Sequence, residues 1–474
     1  MSKFKETLSA LGHFWPSDKP ENIWPGKVSM ETFPRARLHC IGRAPGDGAP
    51  IAGWLTLHGL TENNQSVTLL EAAAHPGGLA FNRQSTTQRT IVTANYMLVG
   101  SDHYDDSPSV RRLSFGSAVA EHVFRLWSSP DYREVRHRKV ARSQFDRPVL
   151  HKQVASYTDL ARKIRIRVFR PTVPNTTIDP TSHWTIDFLE LVTPKRALGV
   201  LHEFRSLLAL ICGDLIDLWD VQLLHKVGAE YSHSELYFAD PVARPATSDG
   251  FPLSPILDIG HDRELFRRVM AHSLVEPPAR RIGRGAFTAI LQDKGSLRFS
   301  HLRELVTIIE MQTSSDGTAP LSKVQSAALR DVLKSALGEF AANEPNSGEW
   351  RETIEKRIDN INYHDARILL KRYISELPPG LVDVPDTFPS DVVEFRNTLV
   401  HDMSRIKSDD TNRLAFFVTK LKAIYAVNDA IALGGRANEI RERSRFLTAA
   451  KYITPNSFGG DEEPDSPQSE PPTP

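Results

Sequence analysis

Cysteine is nearly missing from these 474 residues: only Cys40 and Cys212 occur, too few and too far apart for a disulfide framework or a cysteine-based zinc site. A reducing cytoplasm is the compartment this implies. Long apolar runs are missing as well. Nowhere are there the roughly 18 consecutive apolar residues that a spanning helix needs, and Met1 to Trp15 carry Lys3, Lys5 and Glu6 where a signal peptide would have its apolar core. Net charge is absent, since 58 Lys and Arg balance 58 Asp and Glu. That balance argues against a protein that coats nucleic acid by bulk electrostatics, and leaves room for a local basic cleft that grips a few phosphates. Cofactor fingerprints are lacking too: there is no phosphate-binding Gly-x-x-x-x-Gly-Lys loop, no nucleophile elbow and no dinucleotide motif. Tyr231-Ser232-His233-Ser234-Glu235 and Tyr363-His364-Asp365 offer candidate ligands but not the spacing of a metal cage. No cofactor and no metal is expected.

What is present is ordinary globular material, 40% hydrophobic and 24% charged, in a chain long enough for two or three domains. From Trp24 to about Thr193 short alternating apolar runs separated by Gly and Pro read as antiparallel strands of a sandwich or barrel. They include Ala36 to Ile41, Ile51 to His58, Ser66 to Leu70, Thr90 to Val99, Lys163 to Phe169 and Trp184 to Leu191, with a turn at Pro45-Gly46-Asp47-Gly48. Ala197, Leu198, Leu201, Phe204, Leu207, Leu208 and Ile211 then recur at three- and four-residue spacing, so a helix packs beside the sheet before Tyr231 to Phe238 returns to strand. Beyond a polar, proline-rich stretch from Pro241 to Pro255, helices are predicted at Asp262–Ser273, Ser300–Gln312, Ser322–Ala341, Glu349–Tyr363, Asp365–Leu377, Ser390–Arg405 and Arg413–Leu433. The fold class expected is α+β multidomain: a β-sandwich-like antiparallel domain over 1–240, a connection over 241–295, an all-α bundle over 296–453, and a disordered acidic Pro/Ser-rich tail over 454–474.

The stretch that carries chemistry runs from Phe388 to Asp402. Ser390 after Pro389 reads as a helix cap, and Val392, Phe395, Leu399, Met403 and Ile406 form one apolar stripe. Around it lie Arg396, Asn397 and His401. On a helix Asn397 and His401 share a face one turn apart, while Arg396 is rotated by about 100° from Asn397. An Arg followed by a His after four to six residues is uninformative here, because Arg196/His202, Arg267/His272 and Arg357/His364 do the same. The stricter form, Arg-Asn and then His after three further residues, occurs once.

That form, Arg396-Asn397-Thr398-Leu399-Val400-His401, resembles the signature of HEPN ribonucleases, helical bundles that pair through the motif helix. The layout of a β-rich amino-terminal domain, a junction helix and a terminal bundle resembles the ApeA type of anti-phage HEPN protein. Phe299 to Glu310 looks like the first helix of that bundle, although Met311-Gln312-Thr313 departs from the aromatic and basic residues expected there. The resemblance implies a dimer or higher even-numbered homo-oligomer in which two copies of the motif helix surround one phosphodiester. It implies cleavage of host RNA, with tRNA as a candidate, once a phage-derived trigger is sensed on the amino-terminal domain, and no membrane partner. Histidine, with a pKa of about 6.5, suits proton exchange with the ribose 2′-hydroxyl, which assigns His401. A guanidinium fork stabilises phosphoryl charge without titrating, which assigns Arg396, and Asn397 orients. Glu310 and Asp402 are supporting candidates, Asp402 being a helical neighbour of His401 that faces elsewhere. The products would be a 2′,3′-cyclic phosphate and a 5′-hydroxyl.

Three basic features are candidates for RNA contact: Lys163, Arg165 and Arg167 on one face of a strand, the run Arg133, Arg136, Arg138, Lys139 and Arg142, and Arg280, Arg281 and Arg284 in a flexible loop beside Gly283 and Gly285. A solvated outer face is the competing reading of each. The rival for the whole chain is a non-catalytic dimeric protein whose β domain binds a ligand or partner.

Overall fold

The computed structural model describes residues 8–30, 36–40, 55–82, 85–117, 151–171, 183–214, 216, 218–238, 255–260, 262–292, 298–315, 323–342, 350–352, 354–355, 358, 365–401 and 410–454. They form two compact units, one of Met1–Glu276 with Ala430–Arg445 and the other of Pro277–Asp429 with Phe446–Pro474.

In the first unit twelve strands pair antiparallel throughout. Six of them, β1 (Leu8–Pro16), β2 (Trp24–Met30), β3 (Ala36–Cys40), β4 (Leu55–Thr61), β5 (Ser66–Asn82) and β6 (Ser85–Gly100), follow the order β3-β2-β1-β4-β5-β6. β3 then pairs back on β6, with Ala36 opposite Ala94 and Leu38 opposite Val92, so the expected antiparallel β domain takes the form of a closed barrel. Period-two burial shows why: Trp24, Gly26, Val28 and Met30 point inward on β2 while Pro25 and Lys27 point out. The inward set joins Phe14, Leu38, Leu57, Val67, Leu69, Val92 and Met97 in one core, each such side chain contributing about 1.5–3 kcal/mol by leaving water. Gly59 is required where β4 crosses β1, because a Cβ there would lie 2.2 Å from the Phe14 ring.

The Tyr96–Gly100 stretch of β6, still paired with β5, also pairs with β12 (Glu230–Phe238), and the same sheet runs on through β11 (Trp219–Val227), β7 (Val110–Gly116), β10 (His183–Val192), β9 (Ile164–Pro171) and β8 (His151–Asp159). Helix α1 (Pro194–Cys212) lies on it, started by Thr193, whose hydroxyl accepts from the Arg196 N–H, and ended by Gly213 at φ 70°. Its Phe204 meets Trp184 and Phe115 at ring-centre distances of 5.2 and 6.0 Å. Helix α2 (Arg263–Val275) starts at Asp262, whose carboxylate accepts two backbone N–H groups.

The units divide inside the stretch 241–295 read above as a connection. Pro277 and Pro278 stop α2, and α3 (Pro278–Gln292) begins at once with proline in its first turn. The second unit continues with α4 (Phe299–Ser315), α5 (Lys323–Ala342), α6 (Ala366–Ser375), α7 (Phe388–His401) and α8 (Asp410–Ala432), and takes in most of α9 (Arg445–Tyr452). After α8 the chain rejoins the first unit, where Ile440 bridges Leu257, Arg441 pairs with Asp258, and Arg268 pairs with Glu439 at 2.6 Å. The predicted helix at Glu349–Tyr363 falls mostly outside the described residues. The turn at Pro45–Gly48, the basic run from Arg133 to Arg142 and the tail after Thr454 lie wholly outside them. No described helix is long and apolar enough to cross a membrane.

The segment between β6 and β7 is fastened to β4 by two imidazoles. His58 donates through Nε2 to the Tyr104 carbonyl at 2.7 Å, and His103 donates through Nε2 to the Gly59 carbonyl at 2.8 Å, with the rings stacked 4.8 Å apart. Nearby, the Tyr104 hydroxyl hydrogen-bonds Nδ1 of buried His225. Burial lowers the pKa of His58 and of His225 below the ordinary 6.5, with a smaller push on His58 from the His103 imidazole. The unfolded chain therefore binds these protons first, so stability present above pH 6.5 is lost as the pH falls from there toward the folded values. The urea midpoint of the first unit's transition is expected to drop between pH 7.5 and pH 5.5, and substituting His225→Gln should flatten that slope.

Candidate active site

Helix α7 begins at Phe388, two residues earlier than the Ser390 cap expected from sequence. Pro389 sits in its first turn, and Thr387 takes the flanking role, its carbonyl accepting from the Asp391 N–H and its hydroxyl donating to the Asp391 carboxylate. The apolar stripe forms as read: Val392, Phe395 and Leu399 are buried, while Met403 and Ile406 lie outside the described residues. Phe388 and Phe395 pack on Phe417 of α8 at 5.8 and 5.4 Å, and the Arg413 guanidinium sits 5.1 Å over the Phe395 ring. The seam between α7 and α8 is thus aromatic, which leaves the polar residues of α7 on its other sides.

Arg396 is half-buried there. Its Nη1 donates to Oε1 of Glu310 on α4 at 3.0 Å, with both side chains about three-quarters covered (23% and 26% exposed). Glu310 and Arg396, 86 residues apart, are thus brought together as a charge-assisted pair. Asn397 is exposed. His401 is the last residue of α7, and its side chain and Asp402 lie outside the described residues.

Three residues beyond Glu310's neighbour Ile309, α4 carries a residue whose role sequence reasoning missed. Gln312 accepts from the Tyr373 hydroxyl at 2.9 Å through Oε1 and lies 3.1 Å from the Tyr425 hydroxyl through Nε2. Burial pushes both phenols far above their ordinary pKa, with the Asp429 charge pushing the same way, so they serve as neutral hydrogen-bonding groups. Asp429 is fully buried; it accepts from Nε of Arg284 at 2.7 Å, and Nη1 of Arg280 stands 3.9 Å away. The signal was available, because Asn428-Asp429 interrupts a run from Ala423 to Leu433 that is otherwise apolar all round, and a helix of that kind is buried.

The basic groups offered for RNA contact fare differently from one another. The loop expected at Arg280, Arg281 and Arg284 is helix α3, and Arg284 is 3% exposed and committed to Asp429, so it presents no charge to solvent. Gly283 serves packing rather than flexibility, since a Cβ would meet Gln312 at 2.9 Å. On β9 the predicted alternation holds, with Ile164, Ile166 and Val168 buried. Lys163 pairs with Glu190, and Arg167 shares Asp187 with Arg112 at 2.7 and 2.6 Å, whereas Arg165 is exposed. Among the described residues no group of three or more His, Cys, Asp or Glu is placed to hold a metal ion.

Removing one member of the buried pair strands the other charge. Arg284→Ala is expected to cost about 3–5 kcal/mol, read as a lowered denaturation midpoint, whereas Arg284→Met combined with Asp429→Leu should restore much of it. Equal losses in the single and double variants would show that the pair does not act as a unit.

Comparison with known families gives two matches on this geometry. The model of ApeA N-terminal domain 1 matches residues 9–137, which hold the barrel, and that of Apea-like HEPN matches residues 314–439, which hold α7 and its Arg396-Asn397...His401 motif. No curated protein and no solved structure matches the chain. The chain thus carries, in this order, a segment that matches ApeA N-terminal domain 1 and one that matches Apea-like HEPN, which is the domain layout of an ApeA-like HEPN protein.

Proposed function

We propose that this protein is a metal-independent endoribonuclease of anti-phage defence, cutting host RNA in the cytoplasm as a dimer or larger even-numbered homo-oligomer. Transfer RNA is the first substrate to test. The nuclease domain is assigned to residues 296–453, and the β domain to a regulatory role, restraining cleavage until a phage-derived trigger binds. The single observation that carries this reading is the setting of Arg396: the motif arginine lies within the HEPN match on a helix fixed by an aromatic seam, and Glu310 holds its guanidinium.

The chemistry follows from the residue types. In each copy His401 takes the proton of the ribose 2′-hydroxyl or returns one to the leaving 5′-oxygen. The 2′-oxygen attacks phosphorus, the bond to the 5′-oxygen breaks, and the products are a 2′,3′-cyclic phosphate and a protonated 5′-hydroxyl. Arg396 neutralises charge gathering on the non-bridging oxygens. Asn397, exposed on α7, orients imidazole or phosphate. Glu310 acts through Arg396 by fixing where the fork points.

Expression in cells followed by sequencing of 5′-hydroxyl RNA ends tests the reading. His401→Ala should lower cleavage by about 10²–10⁴-fold and Arg396→Ala by about 10²–10³-fold, each with unchanged denaturation midpoint and assembly. Glu310→Gln should lower turnover less than Arg396→Ala does while leaving the pH profile in place, as expected of a positioning residue. Cleavage that persists in both Arg396→Ala and His401→Ala, or that chelators abolish, would overturn it.

A further inference from the structure

Strands β1 to β4 of the barrel turn alternate residues outward, and their pairing register fixes how those residues line up. On the outer wall Trp15 lies opposite His58, His13 between Leu60 and Pro25, Lys27 between Leu11 and His39, and Arg37 opposite Ser29. Their sequence neighbours Phe14, Val28, Leu38 and Leu57 point the other way and are buried in the barrel. One strand over and one outward position along, the same step leads from His58 to His13, from His13 to Lys27 and from Lys27 to Arg37. These four therefore form a straight diagonal across four neighbouring strands, each step about 7–8 Å. His13, Lys27, Arg37 and His39 are exposed.

The charge on this wall differs from that of the rest of the chain. Arg112, Arg167, Arg268, Arg284, Arg441 and Arg445 are each held by an acid, whereas Lys27 and Arg37 pair with none among the described residues. β1 to β4 contain no Asp or Glu. Asp18, Glu21 and Glu62 lie in the turns that follow β1 and β4, off the wall. At the His58 end of the diagonal the rings gather: His103 stacks on His58 with centres 4.8 Å apart and meets half-buried Trp15 edge-on at 5.3 Å.

Evenly spaced positive groups in a line fit a ligand that repeats one negative charge per unit, and flat rings at the end of the line fit the flat bases that such a ligand carries. A phosphodiester strand has both. An acidic peptide brings the charge without the bases. A bilayer surface is the poorer fit as well, because Lys27 would have to sink together with exposed Leu11, its cross-strand neighbour.

We propose that the outer wall of β1 to β4 is a track for single-stranded nucleic acid, gripping neighbouring phosphates with Lys27 and Arg37 and stacking a base on Trp15. His13 and His39 flank the track and donate to phosphate. The grip is tolerant of sequence, since every base has a π face, and it leaves the choice of the bond to be cut to the motif helix. It lies wholly within the first unit and does not depend on whether the chain cuts RNA.

Fluorescence anisotropy of the full-length protein with a labelled oligothymidine strand of about 12 nucleotides tests this. Thymidine has no 2′-hydroxyl and cannot be cut by attack of a 2′-oxygen, so binding is read apart from cleavage and either can fail alone. Lys27→Gln combined with Arg37→Gln should weaken binding and lower the slope of log affinity on log salt by about 1.4 between about 50 and 200 mM, two contacts at about 0.7 each. Trp15→Leu should lower affinity at least about fivefold with the slope unchanged. Arg443→Gln combined with Lys451→Gln removes the same charge from exposed positions elsewhere and should alter neither. Ultraviolet cross-linking of a thiothymidine strand to the unaltered chain should attach within residues 8–40 whatever the variants do to folding. An equal loss in the control pair, an unchanged slope in the wall pair, attachment confined to other segments, or preference for phosphatidylserine vesicles over the strand would overturn the proposal, as would a wild type that does not bind.

Discussion

The ion pair between Arg396 and Glu310 is the constraint on which the candidate site depends. Two unit charges about 4 Å apart attract by about 4 kcal/mol at an effective dielectric of 20, but desolvation of both groups cancels much of that, so the pair adds little to stability. What it adds is direction. A guanidinium has five N–H donors in a rigid fork, and an acid on a separate helix takes one of them, which fixes the plane of the rest. It also neutralises the charge locally, so on the proposed reading an arriving phosphodiester would share the fork with Glu310 or draw Arg396 from it. A transition state with more charge on its non-bridging oxygens than the substrate would compete better for the fork, and such a difference is what lowers a barrier.

Such a pair is only as well placed as the helices that carry it. α7 is set by Phe388 and Phe395 against Phe417, and α4 by Gln312, two residues past Glu310, which engages Tyr373 of α6 and Tyr425 of α8. Fully satisfied buried hydrogen bonds tolerate no slip, because any shift leaves an amide or hydroxyl without a partner in the interior. The buried Arg284–Asp429 pair ties α3 to α8 as well, through Asp429 Oδ2 alone, Oδ1 having no hydrogen bond. Apolar packing fixes which helices meet, and the polar groups fix their register.

How much of this was legible varied with how local the signal was. Period-two and three-to-four-residue spacing located β3, β9, β10, α1 and α4 to within a few residues, because burial alternates with the element's own geometry. β2 fell within the stretch read as strands but was not singled out, since Pro25 and Gly26 sit within it as breakers, although both are accommodated where β2 runs along the barrel wall. Barrel closure was invisible because it rests on Ala36 and Leu38 meeting Ala94 and Val92, a pairing between segments over fifty residues apart. The glycines flanking Arg284 suggested a loop, whereas Gly283 is there because Gln312 leaves no room for a side chain. The resemblance named Glu310 as a supporting residue, but its partnership with Arg396 was not read from the sequence, since nothing in either segment names the other.

The same acids that neutralise the chain explain how it must handle a polyanion. Asp187 holds Arg112 and Arg167, Asp429 holds Arg284, Glu439 holds Arg268, Asp258 holds Arg441 and Asp214 holds Arg445. Cations spent on internal partners cannot also line a track for phosphates, and each phosphate contact forgone removes about 0.9 from the slope of log affinity on log salt for duplex DNA, or about 0.7 for a single strand. On the proposed reading these paired arginines add no phosphate contacts, so within the described residues discrimination falls on the few groups around one phosphodiester and on the shape of the strand that can enter, which favours unpaired loops and ends whose bases are already splayed.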